Sequence, residues 1–160
     1  MNNSTKTQQA IFDAIKSDDL NKLMEILDSS PQQINSTDSR GFTPLILASY
    51  NGQAKVVRLL IDKGADVNAV DASGNTALMG VCFKGDLEIA QFLIENGAEI
   101  NKQNFQGATA LIYSATFGKI TIAKLLIENG ADRSLKDQKG NSALKYAQMK
   151  GNKPMMDILI

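Results

Sequence analysis

Chemistry in this chain would have to come from one thiol, from recurring carboxylates or from aromatic rings. There is no histidine, so the commonest general base and the commonest metal ligand are both missing. The single cysteine, Cys82, excludes an internal disulfide and a thiolate zinc cluster. It falls in a row of small apolar residues and reads as a buried structural thiol rather than a nucleophile. Asp38, Asp71 and Asp137 each stand three residues before a glycine. That spacing suits a turn in which the carboxylate accepts backbone N–H bonds, not an acid–base pair. There is no glycine loop of the phosphate-cradling kind and no cluster of metal-ligating residues. The expectation is a protein that is not an enzyme and carries no cofactor and no metal.

The remaining candidates are the rings: six phenylalanines and three tyrosines, with no tryptophan. Aromatic rings dock apolar groups of a partner. Whether these rings can do so depends on the elements that hold them, and those elements repeat. Gly41, Gly74, Gly107 and Gly140 are spaced by 33 residues, as are Gly52, Gly85, Gly118 and Gly151. Gly64, Gly97 and Gly130 keep the same step, and apolar pairs such as Leu59-Leu60, Phe92-Leu93 and Leu125-Leu126 stay in register. Thr43, Thr76, Thr109 and Ser142 are good N-caps, and Pro44 then occupies a first helical position. Leu45 and Ala48 continue one short helix, Gly52 ends it, and Val56, Val57, Leu59 and Leu60 mark a second. Gly64 closes the second helix at a position where positive φ suits glycine.

On these residues the sequence resembles the ankyrin repeat family. The stretch Asp38-Ser39-Arg40-Gly41-Phe42-Thr43-Pro44-Leu45 with Gly64-Ala65-Asp66 is echoed by Asp71 with Gly74-Asn75-Thr76-Ala77-Leu78, by Asn104 with Gly107-Ala108-Thr109-Ala110-Leu111, and by Asp137 with Gly140-Asn141-Ser142-Ala143-Leu144. The resemblance implies an all-α solenoid of stacked helix-turn-helix units with Asp-x-x-Gly turn fingers, in a stand-alone protein of about five repeats. The expected layout is a polar leader over 1–9 and one domain over 10–160. Within it lie a cap over 10–37, repeats over 38–70, 71–103 and 104–136, and a cap over 137–160. Asp13, Lys16, Asp18 and Asp19 would make one face of the first unit polar, while Met155, Met156 and Ile160 would lie near an open end. The family's histidine after Thr-Pro-Leu is replaced here by Ile46, Met79, Ile112 and Lys145; apolar packing is expected to stand in for its hydrogen bonds.

The resemblance also implies a binding module, whose variable positions are the turn tips and the exposed face of each first helix. In register these form ladders: Ala14, Leu47, Gly80, Tyr113, Tyr146; Ser17, Tyr50, Phe83, Thr116, Met149; and Asp18, Asn51, Lys84, Phe117, Lys150. Seven rings fall on ladders or turns, and only Phe12 and Phe92 fall at core positions. The expected partner-binding residues are Phe42, Leu47, Tyr50, Gly80, Phe83, Phe105, Tyr113, Phe117 and Tyr146. Gly80 costs a helix about 1 kcal/mol against alanine. It therefore marks either a notch for a partner's apolar side chain or a close approach of neighbouring helices.

Lysine plus arginine and aspartate plus glutamate both number 17, so the net charge is zero and no field draws the chain to nucleic acid. Arg133, Lys136, Lys139, Lys145, Lys150 and Lys153 read as a solvated cap. Asn3-Ser4-Thr5 and Asn35-Ser36-Thr37 match glycosylation acceptors, a pattern that arises by chance. No apolar run is long enough for a membrane span, and the polar start suggests a cytoplasmic protein. The expected partner is a protein or peptide. The alternatives are self-association through the aromatic face or the C-terminal end, and a secreted or envelope-tethered module using the same face.

Overall fold

The computed structural model describes residues 2–160 and consists of five helical hairpins stacked in chain order. They are α1 (Asn3–Lys16) with α2 (Leu20–Ser29), α3 (Pro44–Tyr50) with α4 (Ala54–Asp62), α5 (Ala77–Lys84) with α6 (Leu87–Glu95), α7 (Ala110–Thr116) with α8 (Ile120–Glu128), and α9 (Ala143–Met149) with α10 (Lys153–Leu159). A 3₁₀ turn, Pro31–Gln33, follows α2 where later units carry glycine. The expected all-α repeat solenoid is what forms. First helices pack on first helices and second on second, so neighbours complete the burial that each hairpin begins by itself.

Local chemistry sets each hairpin. The hydroxyls of Thr43, Thr76, Thr109 and Ser142 accept from the N–H groups of Ile46, Met79, Ile112 and Lys145, at 3.2, 3.3, 3.2 and 3.3 Å. Each such cap is worth about 1 kcal/mol. Gly52 and Gly64 have φ of +72° and +89°, the left-handed values a side chain resists. Ile46, Met79 and Ile112, in place of the family's histidine, are buried. Lys145, in the terminal unit, is exposed.

The turn fingers are joined by backbone bonds: Ala72 N–H donates to the Arg40 carbonyl, Phe105 N–H to Ser73, and Gln138 N–H to Gln106. A second ladder runs through asparagines one repeat apart. The side-chain oxygens of Asn35, Asn68 and Asn101 accept from the N–H groups of Asp66, Glu99 and Asp132, at 2.9, 2.8 and 2.8 Å. Asn68 and Asn101 also donate to the Gly97 and Gly130 carbonyls.

One expectation, at the N-terminal end, needs correction. The polar leader is not a separate segment, because α1 begins at Asn3. Asn2 caps it by accepting from the Thr5 N–H, and Gln8 donates to the Thr37 carbonyl. At the other end Met155 is fully buried, whereas Ile160 is 83% exposed. Met155 falls on the inward side of α10 in register with Ile122 and Ile89, both buried. No helix among the described residues is long and apolar enough to cross a membrane.

Candidate functional site

The rings on the first helices meet. Phe42 lies 6.5 Å from Tyr50, Tyr50 stacks on Phe83 at 5.5 Å, Phe83 meets Phe117 edge-on at 4.9 Å, and Phe117 lies 5.9 Å from Tyr113. Five rings from three repeats thus form one row. The 33-residue step pairs Tyr50 with Phe83; Phe117 stands one position beyond that register, and Phe42 and Tyr113 join from within their own repeats. Tyr50, Phe83 and Phe117 are between 37% and 42% exposed, far more than a core ring. Aromatic pairs gain about 0.5–1.5 kcal/mol each beyond area burial, and Phe42 and Tyr113 anchor the row by packing partly against the core.

Beside the row is an apolar depression of about 190 Å³, lined by Phe42, Tyr50, Phe83, Tyr113 and Phe117, by Ile46, Met79 and Gly80, and by Asp71, Asn75 and Thr76. Cofactor-sized pockets are roughly 300–1,000 Å³, so this one has room for a side chain and little more. Gly80 has helical backbone. A methyl group added there would find its nearest neighbour, the Tyr50 ring, at 3.9 Å, an ordinary contact. Close helix packing therefore does not account for the glycine, and the notch is real.

Six of the nine expected site residues gather here: Phe42, Tyr50, Gly80, Phe83, Tyr113 and Phe117. Leu47 does not. It is 5% exposed and belongs to the core. Its neighbours in register are Ala14 and Gly80, small on both sides, so a branched side chain can sink into the stack. Phe105 is 66% exposed but sits on a turn finger, its ring against Gly74. Tyr146 lies in an adjoining, more polar depression with Tyr113, Asp137 and Lys139. Ile46, Met79, Asp71 and Asn75 line the first depression and were not expected there. Their signal was the replaced histidine for the first two and the turn motif for the others.

The charged groups around the rings are few. The Arg40 guanidinium lies 4.3 Å from the Phe42 ring centre and the Lys84 ammonium 5.4 Å from that of Tyr50. Partial burial pushes the Asp38 carboxyl up, but N–H groups of Phe42 and Arg40 and the Arg40 guanidinium outweigh it and hold the group below its ordinary value. Burial raises Tyr113 above the ordinary phenol value, against a hydrogen bond from Asn104. Cys82 is fully buried, and loss of solvent pushes its thiol up to about 12, so it stays protonated and unreactive at neutral pH. No group of three or more potential metal ligands occurs among the described residues.

A family model for ankyrin repeats (3 copies) matches residues 11–104 and 81–160. Among curated proteins, the ankyrin repeat and SAM domain-containing protein 6 of Rattus norvegicus is 38% identical over 60 residues, and its Mus musculus counterpart 37% identical over 60 residues. Those stretches are 38% of this chain and 7% of either relative, so the chain matches only a small part of much longer proteins. With the period, the caps, the turn fingers and the family match in agreement, the chain belongs to the ankyrin repeat family, whose repeats generally serve as protein–protein interaction modules.

Proposed function

We propose that this chain is a non-enzymatic scaffold that binds a protein or peptide through the aromatic depression on its first helices. The observation that carries this is the row of five rings, with Tyr50, Phe83 and Phe117 exposed, beside a notch that helix packing does not require. Binding surfaces concentrate their energy in aromatic anchors and pockets, and exposed apolar patches of this kind are otherwise costly to keep. Its thiol is buried and protonated, and one oxygen each of Asp38, Asp71 and Asp137 accepts backbone N–H groups.

The test is a peptide-display selection against the full chain, followed by affinity measurements on the enriched peptides. Replacement of Tyr50, Phe83 or Phe117 by alanine should weaken binding at least roughly five-fold each, as interface anchors do. Circular dichroism should show the fold retained. Peptides that bind the three variants as well as the native chain would place the interface elsewhere.

A further inference from the structure

The turn fingers carry a second pattern, nine residues long. In the last unit the Tyr146 hydroxyl donates to Asp137 Oδ2 at 2.5 Å, nine residues upstream. In the fourth unit Tyr113 takes the same place, with its hydroxyl 2.9 Å from Asn104 Nδ2, again nine residues upstream. In the second unit the outer oxygen of Asp38 is held by the Arg40 guanidinium at 3.1 and 3.2 Å. The third unit departs from all of these. Asp71 Oδ1 accepts from the Ser73 and Asn75 N–H groups at 2.8 and 2.9 Å. Asp71 Oδ2 has only a long contact of 3.3 Å from Asn75 Nδ2, and no cation pairs with it among the described residues. The position that would supply its hydroxyl is Gly80, which has no side chain.

Asp71 is only 9% exposed, and a carboxylate so far out of water needs strong donors. It lines the same depression as Gly80. The depression thus occupies the place of the tyrosine that this repeat lacks. Rings surround its body, and an under-used carboxylate oxygen lies at its wall. We propose that it receives a tyrosine side chain of the bound protein, the ring lying over Gly80 and the phenol O–H donating to Asp71 Oδ2. This rests on the interaction reading above and names the anchor the partner supplies. A phenol is favoured over a cation because tyrosine hydroxyls fill the corresponding place in the fourth and last units.

The test titrates the full chain with p-cresol, toluene and tetramethylammonium, read by amide shifts around Gly80 and Asn75. The expected result is that p-cresol shifts those amides and binds about ten-fold more tightly than toluene, the factor a hydrogen bond to a charged acceptor supplies. Gly80→Tyr, which fills the slot from within as Tyr146 does, should raise the thermal midpoint and abolish the p-cresol shifts. Equal affinity for p-cresol and toluene, tighter binding of tetramethylammonium, no shifts at all, or undiminished p-cresol binding by a folded Gly80→Tyr each overturns the assignment. The probe comparison on the native chain stands even if that variant does not fold. Selected peptides that depend on Tyr50 and Phe83 while p-cresol leaves the amides unmoved would remove the tyrosine anchor and leave the interaction surface intact.

Discussion

Gly80 concentrates the argument at the scale of single residues. It weakens its helix, it is not demanded by sterics, and it lines the depression beside the row of rings. Gly80→Ala should therefore raise stability by about 0.5–1 kcal/mol in a urea titration, since the added methyl meets nothing closer than 3.9 Å. A loss of stability would mean the helix needs glycine for a reason the packing does not reveal. The Tyr146–Asp137 bond makes a second case. Burial pushes the Asp137 carboxyl up, but the Tyr146 hydroxyl and the Asn141 and Lys139 N–H groups outweigh it and depress it below 3.8. Its contribution to stability is present above that value and lost as pH falls through the lower native one. The Asp137 carboxylate raises Tyr146 above 10.0, so that contribution holds below 10.0 and fades as pH rises past it. Tyr146→Phe should cost roughly 0.5–1 kcal/mol near neutrality, and unfolding measured across pH should show the difference shrink at both extremes. The sequence identified most of the rings but misjudged Leu47, because ladder position gives direction and not depth. It also treated Asp71 as only a turn residue, since the missing partner at Gly80 shows only when the nine-residue spacing is compared between units.

At the scale of elements, the 33-residue period, the hydroxyl caps and the left-handed glycines were legible because each has a local cause. Helix N-termini fell at Pro44, Ala77, Ala110 and Ala143, directly after the predicted caps. The extension of α1 back to Asn3 was not legible, since a polar run without apolar periodicity looks like a tail until a helix docks it. The asparagine ladder was not legible either. Side-chain bonds between repeats leave no hydrophobic signature, and in the sequence Asn35 stands out only as part of an Asn-Ser-Thr triplet. The ladder has a measurable role: Asn68 bridges two units through the Glu99 N–H and the Gly97 carbonyl. Asn68→Ala should lower stability by about 1 kcal/mol in denaturant unfolding. An unchanged midpoint would show that solvent replaces both bonds at no cost.

The hairpins form a linear stack with balanced charge and a row of rings along the first helices. Zero net charge gives a partner little long-range attraction, and the row itself is rings. Affinity for a selected peptide should therefore change less than about three-fold between 50 mM and 500 mM salt, as screening acts chiefly on exposed charge. A steep fall with salt would point to Arg40, Lys84 or the basic last repeat as the true contact. The stacking of hairpins follows from the repeat. Which face carries function does not, because period alone cannot say whether outward rings bury one another or stay open. The most direct measurement is cross-saturation NMR on the chain with a selected peptide bound. Saturation is expected to reach Tyr50, Phe83, Phe117 and the amides around Gly80; transfer confined to the second-helix face around Arg58, Gln91 and Lys124 would place the interface there instead.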